Sequence, residues 1–108
     1  MPDIDVAVMR AYCDAKVPPE HQAEARVELE TRGTRLTVVE TRAPWDLGSE
    51  WSRQQVAQLR FDHDSREWTL YCADRNGRWL AYPDAPPTSD IANLIQEIDD
   101  DPTGIFWG

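Results

Sequence analysis

Three groups of side chains in this sequence could do chemistry. Asp62-His63-Asp64 sets an imidazole between two carboxylates, the donor types of a transition-metal site. Cys13 and Cys72 are the only thiols, the residue type for nucleophilic or redox work. Glu97 with Asp99-Asp100-Asp101 gathers carboxylates that could serve acid–base chemistry or a divalent cation.

Spacing counts against each group. In a strand, Asp62 and Asp64 point one way and His63 the other, so the three do not converge; Asp64 and Ser65 are also ordinary turn formers. Cys72 shares an alternating apolar face with Trp68 and Leu70, where a thiol is filler with a raised pKa, and no histidine is placed to act as its base. The acidic run lacks the alternating ligands and glycine bend of a calcium loop. It reads as a solvated helix end or an electrostatic partner surface. G-x-G-x-x-G, P-loop, G-x-S-x-G and H-E-x-x-H motifs are missing from the sequence. The expectation is no catalytic residue, no metal and no cofactor, leaning against an enzyme.

The tryptophans divide into two sets. Trp68 and Trp79 fall on an apolar strand face and read as core. Trp45 and Trp51 lie on the connection "RAPWDLGSEWSR", residues 42–53, longer than a hairpin needs, and connections of this length are often functional. Phe106 and Trp107 belong to an apolar tail, "TGIFWG". Leaving such aromatics in water forfeits about 1.5–3 kcal/mol apiece. Trp45, Trp51, Phe106 and Trp107 are therefore the candidate partner-binding residues, in one patch where connection and tail meet. On that reading Trp51→Ala and deletion of residues 105–108 change association more than folding.

The elements that carry these residues follow from periodicity. Residues 3–16 predict a helix with Asp3 as N-cap and Ile4, Val8, Ala11, Tyr12 and Ala15 as its apolar stripe. Val17-Pro18-Pro19 ends it, and Pro19 starts about one further helical turn. From residue 25 the pattern alternates. A turn at Arg32-Gly33 sets Leu29 opposite Leu36 and Val27 opposite Val38. A turn of two or four residues about Asp64-Ser65 sets Phe61 opposite Trp68, Leu59 opposite Leu70 and Ala57 opposite Cys72. Asn76-Gly77, the strongest short hairpin signal, sets Cys72 against Ala81 and Asp74 against Trp79 on one face. It puts Tyr71 against Tyr82 and Ala73 against Leu80 on the other. A second face then mixes Val39, Val56, Tyr71, Leu80 and Tyr82 with Arg35, Arg60 and Arg78. After "PDAPPTSD" a second helix is predicted, capped by Thr88 or Ser89, with Ile91, Leu94, Ile95 and Ile98 as its stripe; Pro102 stops it. The fold expected is α+β: five antiparallel strands in meander order, both helices on the apolar face.

At 108 residues the chain fits one domain, 1–108. No apolar run reaches the ~18 residues of a membrane span, and the amphipathic N-terminus does not read as a signal peptide. Two cysteines outside any CxxC point to a reducing, cytoplasmic setting. Twenty acids against eleven bases give a formal charge of −9, which opposes direct nucleic-acid or anionic-membrane binding.

The segments "LTVVETRAPW", "AQLRFDHDSREWTLYCADRNGRWLAY" and "EIDDDPTGIFWG" resemble a family of short bacterial proteins known as domain of unknown function 3024. The likeness covers nearly the whole chain. Its markers are V-E-x-R-x-P-W, the W-x-L-Y…D-R-N-x-R hairpin and the D-P-x-x-I-F-W-G end; Cys72 stands where the family pattern has an aromatic residue. The resemblance implies a small cytoplasmic protein and supplies no activity. The leading functional expectation is a non-enzymatic interaction module for an unknown protein partner or a second copy of itself, using the 42–53 connection, the tail or the second sheet face. Alternatives are a small-molecule binder or enzyme with a pocket beneath the connection, and an acidic nucleic-acid mimic.

Overall fold

Alternation from residue 25 onward builds one antiparallel sheet. In the computed structural model, which describes residues 1–46 and 48–108, its strands are β1 (Ala25–Arg32), β2 (Arg35–Arg42), β3 (Ser52–Asp62), β4 (Glu67–Ala73) and β5 (Trp79–Ala81). They lie in the order β1-β2-β3-β4-β5, a meander. Leu47, within the 42–53 connection, lies outside the described residues. Helices α1 (Asp3–Lys16) and α2 (Ile91–Asp100) both pack on the apolar face, and a 3₁₀ turn at Pro19–His21 follows α1. Met9 and Cys13 of α1, the inward residues of β1–β4, Ile91, Leu94 and Ile98 of α2, and Phe106 form one buried cluster.

The central hairpin has the register that its apolar pattern requires. Ala57 pairs with Cys72, Leu59 with Leu70 and Phe61 with Trp68. Its loop is the four residues 63–66. Arg66 sits at positive φ (58°), and the Asp62 carboxylate accepts from the amides of Asp64 and Ser65.

The first hairpin differs from expectation by two residues. Gly33 and Thr34 form the turn, so Leu29 faces Val38, Val27 faces Glu40, and Leu36 faces Thr31 rather than Leu29. Gly33 takes the first turn position because positive φ (57°) is required there. An even shift leaves every side chain on the face assigned to it.

The third hairpin differs by one residue, and this does change faces. Cys72 pairs with Leu80, Tyr71 with Ala81 and Ala73 with Trp79. Asn76-Gly77 is not a two-residue turn. Asp74 and Arg78 close it by a backbone bond of 2.8 Å, leaving three loop residues with Gly77 at φ 79°. The Asp74 carboxylate accepts from Asn76 N and Arg78 N and stabilises this longer loop. Tyr82 is consequently buried in the core, its amide donating to Leu70 O, whereas Trp79 lies half-buried on the opposite face.

Two smaller corrections concern the helices. In α1 the buried side chains are Met9 and Cys13; of the expected stripe Ile4 (74% exposed), Val8, Ala11 and Ala15 face water, whereas Tyr12 is half-buried against the core. Turning the Met9 face inward also brings Asp5 to the Trp68 indole, whose Nε1 donates to Asp5 Oδ2 at 2.8 Å. The N-cap positions are Pro2 for α1 and Asp90 for α2. The Asp90 carboxylate accepts from Ala92 N at 3.1 Å, and Thr88 Oγ1 in turn accepts from Asp90 N.

Candidate functional site

The residue groups with chemical potential are each occupied by the fold. His63 lies edge-on to the Phe61 ring, centroids 5.3 Å apart, while Asp62 holds its turn. No three His, Cys, Asp or Glu side chains converge among the described residues. Cys13 and Cys72 are free and buried. Burial pushes the Cys13 thiol up to about 11, with Asp14 adding to the shift and Arg10 opposing it. Burial also raises Cys72, whose Sγ lies 3.6 Å from Leu80 O. Both thiols are thus held protonated near neutrality. A disulfide reagent is expected to titrate both slowly in the native protein and two per chain at once in denaturant. Rapid native reaction of either would contradict its burial.

The acidic run near the C-terminus is dispersed into separate structural roles. Asp99 accepts from Lys16 Nζ (3.2 Å) and the Tyr12 hydroxyl (3.0 Å), which hold its carboxyl below the usual range. Glu97 accepts from the Tyr82 hydroxyl at 2.7 Å; burial, then this bond, push that phenol up to about 12. Asp100 accepts from Gln96. Asp101 takes the left-handed cap position and accepts from the amides of Phe106 and Trp107.

The four candidate partner-binding aromatics are not brought into one patch. Phe106 is in the core, 2% exposed, its ring 5.1 Å from that of Tyr82. Trp107 is half-buried; its Nε1 donates to Ile98 O at 3.1 Å, and Lys16 Nζ lies 4.7 Å from its ring. Trp51 is 39% exposed beneath the Arg26 guanidinium, which sits 4.8 Å from its ring centre. Trp45 is 96% exposed. The hollow beside it, about 420 Å³ and lined by Arg42, Pro44, Asp46 and Glu50 among others, is formed by the connection itself and leaves the indole uncovered.

Among the described residues no helix covers the sheet's second face. Val39 and Gln58 are buried within it nonetheless. A β-bulge between Val38 and Val39 makes Val56 the extra residue, so Val56 joins the core cluster rather than this face. Gln58 Nε2 donates to Thr37 Oγ1 (3.0 Å), Gln58 Oε1 accepts from Arg60 Nε (2.8 Å), and the Arg60 guanidinium stacks 3.9 Å from the Tyr71 ring centre. Arg53 is ion-paired with Glu30. The sequence singled out Arg35, Arg60 and Arg78 only as interruptions of an apolar pattern; Arg78 instead closes the third hairpin, exposed and outside β5. Arg32, beside Arg35, was missed and becomes visible once Gly33-Thr34 is taken as the turn.

The family model described as Domain of unknown function (DUF3024) matches residues 1–108, the whole chain. No curated protein and no solved structure matches it.

Proposed function

We propose that this chain, which belongs to the family described as domain of unknown function 3024, is a non-enzymatic protein-interaction module folded as one domain. Trp45 supports the reading most directly. A tryptophan left 96% exposed on a connection forfeits its burial energy unless another surface covers it. Tryptophan and arginine dominate binding hot spots, and Trp51 under Arg26 lies on the same segment of chain. Trp45 and Trp51 are the contact residues in this proposal; Phe106 and Trp107 serve it by holding the C-terminal end of the fold. The partner is another protein or a second copy of this chain. The same reading places the protein in the cytoplasm, supported by its two free thiols. Among the described residues no helix is long and apolar enough to cross a membrane.

The test is affinity capture from the native host beside light scattering of the pure protein. Trp45→Ala is expected to weaken partner recovery or self-association about 30-fold, the ~2 kcal/mol of a hot-spot tryptophan. Its melting should stay within about 0.5 kcal/mol of wild type, as for other surface changes. Recovery and chain mass identical for wild type and Trp45→Ala would overturn the proposal.

A further inference from the structure

The strongest feature outside the Trp45 connection is a row of three arginines on the bare sheet face. Arg32 pairs directly with Arg35 across the first hairpin, and Arg35 pairs directly with Arg60 on β3. Phe61 N donates to Thr34 O at 2.9 Å, which makes Arg35 and Arg60, one step on, a non-hydrogen-bonded pair. Such pairs bring side chains closest, and like charges placed opposite one another destabilise a sheet. Neither Arg32 nor Arg35 has an ion pair or side-chain hydrogen bond among the described residues. The nearby carboxylate, Glu30, is taken by Arg53. In a chain with 20 acids and 11 bases, an unneutralised row of this kind stands out.

We propose that this row binds a small phosphate-type oxyanion. The cleft beside it, about 270 Å³, is lined by Arg32, Arg35, Thr37 and Gln58 and by the Arg53–Glu30 ion pair, whose carboxylate is neutralised within the pair. That volume is smaller than a drug-sized pocket and suits a phosphate or a short phosphomonoester. Two unpaired guanidiniums match a dianion, the form a phosphomonoester adopts above its second pKa of about 6. Guanidiniums donate to oxyanions in bidentate fashion. Arg32 on β1 and Arg35 on β2 line the cleft and reach a tetrahedral anion from two sides, where a planar carboxylate offers two oxygens; Arg60, held by Gln58 and Tyr71, lies outside the lining. Gln58, 6% exposed, supplies a fixed neutral floor: it anchors Thr37 and Arg60, and Arg60 is further held against Tyr71. The net charge of −9 repels anions at long range, so the site works at contact distance and gives no extended track for a nucleic acid. The inference is independent of the Trp45 reading.

The experiment is an amide-detected NMR titration of the full chain at pH 7.5, with ionic strength held constant by sodium chloride. The separate probes are sodium phosphate, glycerol phosphate, acetate and a ten-nucleotide single strand. Phosphate or glycerol phosphate is expected to give saturable shifts at residues 32–37 and 58–60, the tighter of the two identifying the free anion or the ester as the source. Arg32→Gln and Arg35→Gln should each weaken saturation at least tenfold. Without phosphate, Arg35→Gln should melt no lower than wild type, because a like-charge contact is removed; added phosphate should raise the melting temperature of wild type only. Shifts that never saturate, acetate binding as tightly as phosphate, or saturation by the oligonucleotide alone would each overturn the proposal. So would equal phosphate binding by wild type and Arg35→Gln, or a lower melting temperature of that variant in phosphate-free buffer.

Discussion

Trp68→Ala is expected to lower the unfolding free energy by about 3–5 kcal/mol, the range for emptying a buried aromatic site. For a chain of 108 residues this corresponds to a fall in melting temperature of roughly 12 °C or more. Trp68 is fully buried and packs against Phe61, ring centroids 5.0 Å apart. It also joins segments far apart in sequence. Its indole donates to Asp5 on α1, and its backbone N and O both pair with Thr88 just before α2. Trp68→Phe separates packing from the polar bond: most of the ring volume stays while the Asp5 carboxylate loses its donor. An intermediate loss of about 1.5–3 kcal/mol is expected from a hydrogen bond to a charged group. Denaturant unfolding followed by circular dichroism measures both. A loss below about 1 kcal/mol for Trp68→Ala would mean that the indole does not organise the core.

The hairpins show why register was partly legible in the sequence. Binary pattern fixes only which residues share a face, and a two-residue slip preserves that. The first hairpin could therefore be misplaced by two while Val27, Leu36 and Val38 still emerged as core. A one-residue slip does not preserve it. Asn-Gly suits a two-residue turn, but glycine also suits the left-handed position of a three-residue loop. Asp74 decides between them by accepting from Asn76 and Arg78, a local bond that apolar alternation does not encode. Trp79, Leu80 and Tyr82 changed faces for that reason. The central hairpin escaped this ambiguity because loops of two and four residues give the same pairs.

Helix α1 shows a second limit. Its sequence offers a first stripe, Ile4-Val8-Ala11-Tyr12-Ala15, of which only Tyr12 meets the core, and a second, Val6-Met9-Cys13, which does; helical periodicity alone does not choose between them. The choice rests on partners elsewhere in the chain: Trp68 needs an acceptor, which Asp5 supplies, and Asp99 meets Tyr12 and Lys16. The acidic run was legible as a helix end, but the partner of each carboxylate was not. Four carboxylates adjacent in sequence look like one charged patch, but each is taken by a different element. Trp45, by contrast, was singled out from the length and composition of its connection alone, and among the described residues it is the most exposed of the large hydrophobics.

Deletion of residues 105–108 is the second variant with a large expected effect, and the structure moves that effect from association to folding. Phe106 fills a core position against Tyr82, and its removal alone is expected to cost about 3–5 kcal/mol. Trp107 also satisfies the Ile98 carbonyl in the last turn of α2, which the deletion would leave without that donor. What returns the tail to the core is Asp101. Its backbone is left-handed (φ 44°), its amide donates to Glu97 O, and its two carboxylate oxygens accept from Phe106 N and Trp107 N at 3.0 and 2.9 Å. Substitutions at this residue separate backbone strain from tail anchoring. Asp101→Asn keeps one acceptor and a side chain that tolerates left-handed backbone. Asp101→Gly relieves the backbone by about 1 kcal/mol but loses both acceptors. Asp101→Ala loses the acceptors and retains the strain. The expected order of melting temperatures is wild type, Asn, Gly, Ala, with Ala about 2–3 kcal/mol below wild type, two charge-assisted bonds being lost. A glycine variant more stable than wild type by the full ~1 kcal/mol of relieved strain would show that the carboxylate adds nothing to the cap. If the truncated chain melted like the intact one yet lost its partner, Phe106 would be a surface residue, and Tyr82 would have to find its burial elsewhere.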